Sequence, residues 1–174
     1  MTSIIRTSPR LLLRHLTMDD AEGMFAMDSD PRVLTFLDLA PQTHIDESRK
    51  TIQHVIDQYQ EHGVGRLALE LKETGEFIGW AGLKFMTETI NDHIHYYDLG
   101  YRLLPKFWGQ GYATEAAMAS RDYGFEDLKA EKLYAVAMHG HWASRRVLEK
   151  TGLEVKGDCM FYGHPHWWLE ISAP

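Results

Sequence analysis

The sequence predicts an α+β fold with a mostly antiparallel sheet, on three observations. Leu67, Leu69 and Leu71 alternate along a strand from Gly65, the turn KETGE follows, and Phe77 to Phe85 returns as an antiparallel partner. Ile45, Ile52, Val55, Ile56 and Tyr59 recur at roughly helical spacing until Gly63. A third strand, His95 to Leu104, runs into the glycine-bearing turn of FWGQGYATEA and then a helix.

The remaining elements follow in chain order. Leu11 to Leu13 with Leu16 reads as a first strand; Thr17 with Asp20 resembles an N-cap and acidic first turn opening a helix through Met27, and Asp30 and Pro31 break it. Thr43 with Asp46 opens the second helix in the same way. In the strand from His95 to Leu104, Tyr97, Leu99, Tyr101 and Leu103 share one apolar face, and Tyr96, Asp98, Gly100 and Arg102 the polar one. A helix from about Tyr112 to Leu128, a strand Lys132 to Met138, a short helix Ala143 to Thr151 and strands around Leu153 to Tyr162 and Trp167 to Ile171 complete the reading.

At 174 residues, with neither repeat nor low-complexity linker, the chain reads as a single domain able to bury a core. Twenty-five acidic against 18 basic residues give a net charge of -7, the wrong sign for gripping a phosphate backbone, so nucleic acid is not an expected partner. No apolar run approaches the ~20 residues of a membrane span, and MTSIIRTSPRLLLRHL has too brief an apolar core for a secretory signal. Cys159 is the only cysteine, which excludes an internal disulfide and fits a reducing compartment. The expectation is a cytoplasmic protein with no membrane partner, a monomer or homodimer.

The glycines pose the functional question. Gly109 and Gly111 either make a plain strand-to-helix turn, or let an anion approach the unpaired amides and positive dipole end of the helix. A P-loop would need a Lys-Ser/Thr pair, and a dinucleotide fingerprint a third glycine; both are missing.

The segment GYRLLPKFWGQGYATEA resembles the acetyl-coenzyme A motif of the GNAT N-acetyltransferases, and its Trp before Gly-x-Gly-Tyr-Ala-Thr-Glu-Ala is similar to the branch that acetylates ribosomal-protein N-termini (RimJ/RimL-like). SPRLLLRHLTMDDAEGMFAMDSDPRVLTFL and ASRRVLEKTGLEVKG resemble the family's opening and its Ser-x-x-Val-Leu-Glu-Lys-x-Gly segment, so nearly the whole length is covered. The resemblance implies a splayed, mostly antiparallel sheet flanked by helices, with the strand ending at Leu103 and Leu104 pairing with the pantetheine arm of acetyl-coenzyme A. It implies a pyrophosphate on the amides of Trp108, Gly109, Gln110, Gly111, Tyr112 and Ala113. Thr114 offers a hydroxyl donor and Lys106 a nearby charge, while Glu115 and Ala116 read as helix residues. His141 stands where the family often has Asn, and either hydrogen-bonds the cofactor's pantetheine or adenine end or is a titratable group.

Acetyl transfer needs a neutral amine, a donor for the oxyanion and a proton for the departing thiolate. Asp98, on the polar side of the strand that feeds the turn, is the candidate base or water relay; read without the family it is an ordinary strand carboxylate, for which pairing with Arg102 four residues on is awkward. Ser144 matches the family serine near the thiol and is the candidate to orient or protonate sulfur; read alone, it ties up a helix amide. Tyr96 and Tyr97 are further phenols, with packing their usual use. Three His-x-His pairs (His93 with His95, His139 with His141, His164 with His166) raise a metal reading, which lacks a following Glu and further His at set intervals; no metal is expected.

The expected activity is acetyl transfer to a primary amine, a protein or peptide N-terminus first. Small-molecule amines (a polyamine, an amino acid or an antibiotic) are the alternative, with Trp80, Trp142, Trp167, Trp168 and the early helices as candidate walls for either acceptor. The reading from a different class is a module that senses acyl-coenzyme A without turnover.

Overall fold

The computed structural model describes residues 3–174. Its strands are β1 (Ile4–Thr7), β2 (Leu11–His15), β3 (Arg66–Leu71), β4 (Phe77–Met86), β5 (Tyr96–Leu103), β6 (Lys132–Met138), β7 (Glu154–Phe161) and β8 (His164–Ser172). They form one sheet in the order β1-β2-β3-β4-β5-β6-β8-β7. Every neighbouring pair is antiparallel except β5 and β6, which run parallel and share only two paired positions, Tyr97 with Leu133 and Asp98 with Tyr134. Beyond those positions the sheet splays, as expected.

The helices are α1 (Ala21–Asp28), α2 (Pro31–Leu34), α3 (Ile45–His62), α4 (Tyr112–Asp122) and α5 (Trp142–Lys150). Strand alternation sorts them onto two faces. Leu67 and Leu69 of β3 pack with Ala116 and Ala119 of α4, while Ala68 between them packs with Met24 and Met27 of α1 and Ile52 and Val55 of α3. Leu133, Ala135 and Ala137 of β6 join Leu148 of α5 on the α4 face. Each large apolar side chain so buried contributes about 1.5–3 kcal/mol, which fixes the register of every strand between the layers.

Local signals set the ends. Asp20 closes the first capping box onto the Thr17 amide, 2.9 Å, as the sequence suggests. Asp30 and Pro31 do more than break a helix: Asp30 accepts from the Arg32 amide and Pro31 takes the first position of α2. The cap of α3 is His44, one residue beyond Thr43, with Glu47 accepting from both amides. β1 pairs with β2 although Ile4-Ile5-Arg6-Thr7 has no readable period. The long helix expected to Leu128 ends its α-turns at Asp122 and continues to Asp127 as a π-turn.

One side chain ties three strands together. Arg66 of β3 reaches across β4, donates to the Asp98 carbonyl at 2.7 Å and forms an ion pair with the Asp98 carboxylate on β5. Its path lies over Gly82 and Gly100, which face each other across β4 and β5; a Cβ at Gly100 would stand 2.8 Å from Arg66 Nη2. Gly100→Ala is therefore expected to displace the guanidinium and to destabilise the fold by about 2 kcal/mol, read from the urea midpoint.

Candidate active site

The turn between β5 and α4 is built before any ligand arrives. The Phe107 amide donates to Leu104 and the Trp108 amide to Pro105, forming a 3-10 turn, and the Gln110 side chain donates to the Lys106 carbonyl. Gly109 and Gly111 have φ of 72° and 83°, the left-handed region that β-carbons disfavour. The first helical bond of α4 is Glu115 N–H to Gly111 O. Among the described residues, the amides of Gly109, Gln110, Gly111, Tyr112, Ala113 and Thr114 have no backbone or side-chain acceptor. Such donors at the positive end of a helix suit a diphosphate. Trp108 differs from the expectation, because its amide is already spent on Pro105. Lys106 also differs: it is ion-paired with Glu76. The basic side chain beside the turn is Arg10, whose Nη1 donates to the Gln110 carbonyl at 3.0 Å. Sequence reasoning missed it.

The splay supplies a slot leading from this turn. Leu104 N–H bonds to Ile78 O on β4, so residues 103 and 101, in the opposite phase of the ladder, aim their backbone groups toward the gap. Leu103 thus fits an extended amide-bearing ligand, though its carbonyl already accepts from the Trp108 indole at 2.9 Å; Leu104 directs its amide away. Across the gap stands Ser144 in the first turn of α5. Its Oγ lies 3.0 Å from the Tyr101 phenol, which also donates to the Ser144 carbonyl at 2.8 Å. With that donation fixed, the serine hydroxyl is the donor of the longer, side-chain link. Burial raises the Tyr101 pKa, so the phenol stays protonated.

On the opposite face of β5, Asp98 is only 16% exposed. Burial raises its pKa, and Arg66 opposes the rise without cancelling it. One carboxylate oxygen faces Arg66; the other has no protein partner and is not sealed from solvent. The Arg102 pairing that looked awkward does not form. Arg102 bonds Asp28 of α1 at 2.7 Å, and Arg66 and Arg102 both stack on Trp80, 5.3 and 5.2 Å from its ring. Half-buried Trp80 is thus flanked by two ion pairs. Trp168 is buried against Tyr96 and Tyr134, Tyr97 packs on Phe85, and Trp142 packs on Trp167 at 4.7 Å with the ring planes tilted by 50°.

His141 caps α5 and stacks on Phe36, with centroids 4.3 Å apart and planes 10° from parallel. Burial lowers its pKa, so it is neutral at neutral pH. The other histidines disperse: His139 meets Asp158, His164 meets Asp38, and His93 lies against Tyr134 and Trp168. Among the described residues no three His, Cys, Asp or Glu side chains converge as a metal site would require. No helix is long and apolar enough to cross a membrane.

A splayed parallel pair with unpaired amides at the following helix offers an open strand edge and an anion site to one extended ligand. The profile of the Acetyltransferase (GNAT) domain matches residues 10–154, and the chain belongs to that family. It is 31% identical over 157 residues, 90% of this chain and 86% of the relative, to the uncharacterized N-acetyltransferase YoaA of Bacillus subtilis. It is 27% identical over 150 residues to the spermidine N(1)-acetyltransferase of Escherichia coli, covering 85% of this chain and 75% of that protein. The structure of RimL, a ribosomal L7/L12 alpha-N-protein acetyltransferase in complex with coenzyme A, superposes with a TM-score of 0.79 at 19% identity and covers 98% of both chains. The protein is thus an acyl-coenzyme A-dependent N-acyltransferase that uses acetyl-coenzyme A as donor. Membership in an enzyme family replaces the sensor reading. The YoaA-like relatives leave the ribosomal branch as one possibility among several acceptor classes.

Tyr101 ties β5 to the first turn of α5 through two hydrogen bonds to Ser144, and their loss is measurable. Tyr101→Phe is expected to cost about 1 kcal/mol of stability through the two lost hydrogen bonds, read by denaturant unfolding of the ligand-free protein.

Proposed function

We propose that the protein is a single-domain cytoplasmic enzyme that acetylates a protein or peptide N-terminal α-amine. The carrying observation is the condition of Asp98, an acidic group on the strand that borders the slot: it is held by Arg66 and leaves a single oxygen free. A base so restrained suits an acceptor that needs little deprotonation. An α-amine of pKa near 8 is about one-tenth neutral at pH 7, whereas a lysine near 10.4 is neutral below about one part in a thousand. The reducing compartment rests on the single buried Cys159.

In this reading the amide set from Gly109 to Ala113, with the Thr114 hydroxyl, takes the diphosphate; Leu103 and His141 border the pantetheine arm. The amine nitrogen attacks the thioester carbonyl. A C–N bond forms as the C–S bond breaks, the ammonium proton passes to the free oxygen of Asp98 directly or through water, and the thiolate leaves hydrogen-bonded to Ser144 Oγ–H, which turns from the Tyr101 phenol to meet it, before taking its proton from solvent. Through its bond to the Ser144 carbonyl, Tyr101 holds the residue in place for that step. The spermidine acetyltransferase relative favours a second reading, a polyamine acceptor.

Thiol release measured against peptides, polyamines, amino acids and aminoglycosides separates them. Peptides with free α-amines should give the highest kcat/KM; preference for spermidine, with peptides inert, would overturn the first reading in favour of the second. Asp98→Asn should lower kcat about 100-fold and Ser144→Ala about tenfold or more, each leaving coenzyme A affinity unchanged. Because Asp98 cannot accept a proton once protonated, the wild-type kcat should fall as pH drops through a value above the usual carboxylate range, and the Asn variant should lose that limb.

A further inference from the structure

The tip of the β1–β2 hairpin meets the first turns of α4 in a closed set of polar contacts. Glu115 Oε1 accepts from Ser8 Oγ and from the Arg10 amide, both at 2.7 Å, and Oε2 accepts from Arg10 Nε at 2.6 Å. The same guanidinium donates to the Gln110 carbonyl at 3.0 Å and lies over the Tyr112 ring at 4.2 Å. Its Nη2 sits 3.4 Å from where a Gly111 Cβ would be. Burial pushes the Glu115 pKa up, but the bonds from Ser8 and Arg10 outweigh it, and the carboxyl ends below its usual range. A full negative charge therefore sits one turn inside a helix end whose open amides suit an anion, and on that account it opposes one.

We infer that Arg10 is a positioning residue for coenzyme A binding: it neutralises Glu115 and fixes the Gln110 peptide so that the amides after it face outward. The inference rests on the reading that the Gly109–Thr114 turn holds the diphosphate. Arg10 acts through the turn, by two effects that separate experimentally. One is charge, which any cation at position 10 supplies in part. The other is the fork, in which Nε reaches Glu115 while Nη1 reaches Gln110, and lysine cannot reproduce it.

The test is the dissociation constant of coenzyme A by calorimetry for Arg10→Ala, Arg10→Lys, Glu115→Gln, Arg10→Ala/Glu115→Gln and Gly111→Val, with circular dichroism and melting temperature on each ligand-free variant. Arg10→Ala is expected to weaken binding about tenfold or more, Arg10→Lys to fall between it and the wild type, and removal of the Glu115 charge in the Arg10→Ala background to recover a large part of the loss. A role confined to fold stability would lower the melting temperature in the double variant at least as far as in Arg10→Ala and restore no affinity, which would overturn the inference. Wild-type affinity in Arg10→Ala, with Gly111→Val folded and unable to bind, would overturn it too. A folded Gly111→Val that binds as the wild type does would instead overturn the underlying reading of the turn.

Discussion

Buried backbone donors and acceptors must be paired, and the junction of β5 with β6 leaves that requirement open on purpose of topology. Two parallel strands that meet at only two positions, Tyr97 with Leu133 and Asp98 with Tyr134, abandon the rest of their facing edges. A ligand with its own amides can complete the ladder, as proposed for the pantetheine arm, and the antiparallel pairs on either side frame the slot. In the proposed reading the fold is arranged around an incomplete hydrogen-bond register, with a helix N-terminus at its end for the charged portion of the same molecule.

Three side-chain links hold that slot in shape. Arg66 anchors the closed end through the carbonyl and carboxylate of Asp98, at one of the two paired positions. Tyr101 crosses from β5 to Ser144 on α5 partway along. Arg10 binds the glycine turn to the hairpin at the open end. Each link brings together elements that the hydrogen bonds of the sheet leave apart, and each positions a group to which the chemistry assigns a part: the candidate base, the candidate acid and the anion-binding amides. In the proposed reading stability and function coincide here, since the residues that join these elements also position the groups given a part in the reaction.

The elements legible in the sequence are those whose signals are local. Alternation at Leu67, Leu69 and Leu71, the cap at Asp20 and the glycines before α4 each act within a few residues, and the structure places a strand, a helix start and a left-handed turn there. Boundaries without such signals were lost: β1 has no period, and the π-turn from Tyr123 continues a helical pattern that gives no reason to stop. The ion pairs were hidden for a different reason. Arg66 lies 32 residues from Asp98, Arg102 lies 74 from Asp28 and Arg10 lies 105 from Glu115, so their pairing depends on strand order and on how hairpins fold back over helices. Asp98 was visible as a residue on the polar face of β5; its clamp was not. A signal for the clamp was present in Gly82 and Gly100, which make a side-chain-free path across paired strands, but it becomes meaningful only once those strands are known to be neighbours.

Amide hydrogen exchange, resolved by residue and measured with and without coenzyme A, reports most directly on the unpaired backbone. The account predicts fast exchange in the free protein at Gly109 to Thr114 and at Leu103, and marked slowing at those same amides when coenzyme A is bound. Slowing confined to other elements, with the glycine turn and the end of β5 unchanged, would contradict it.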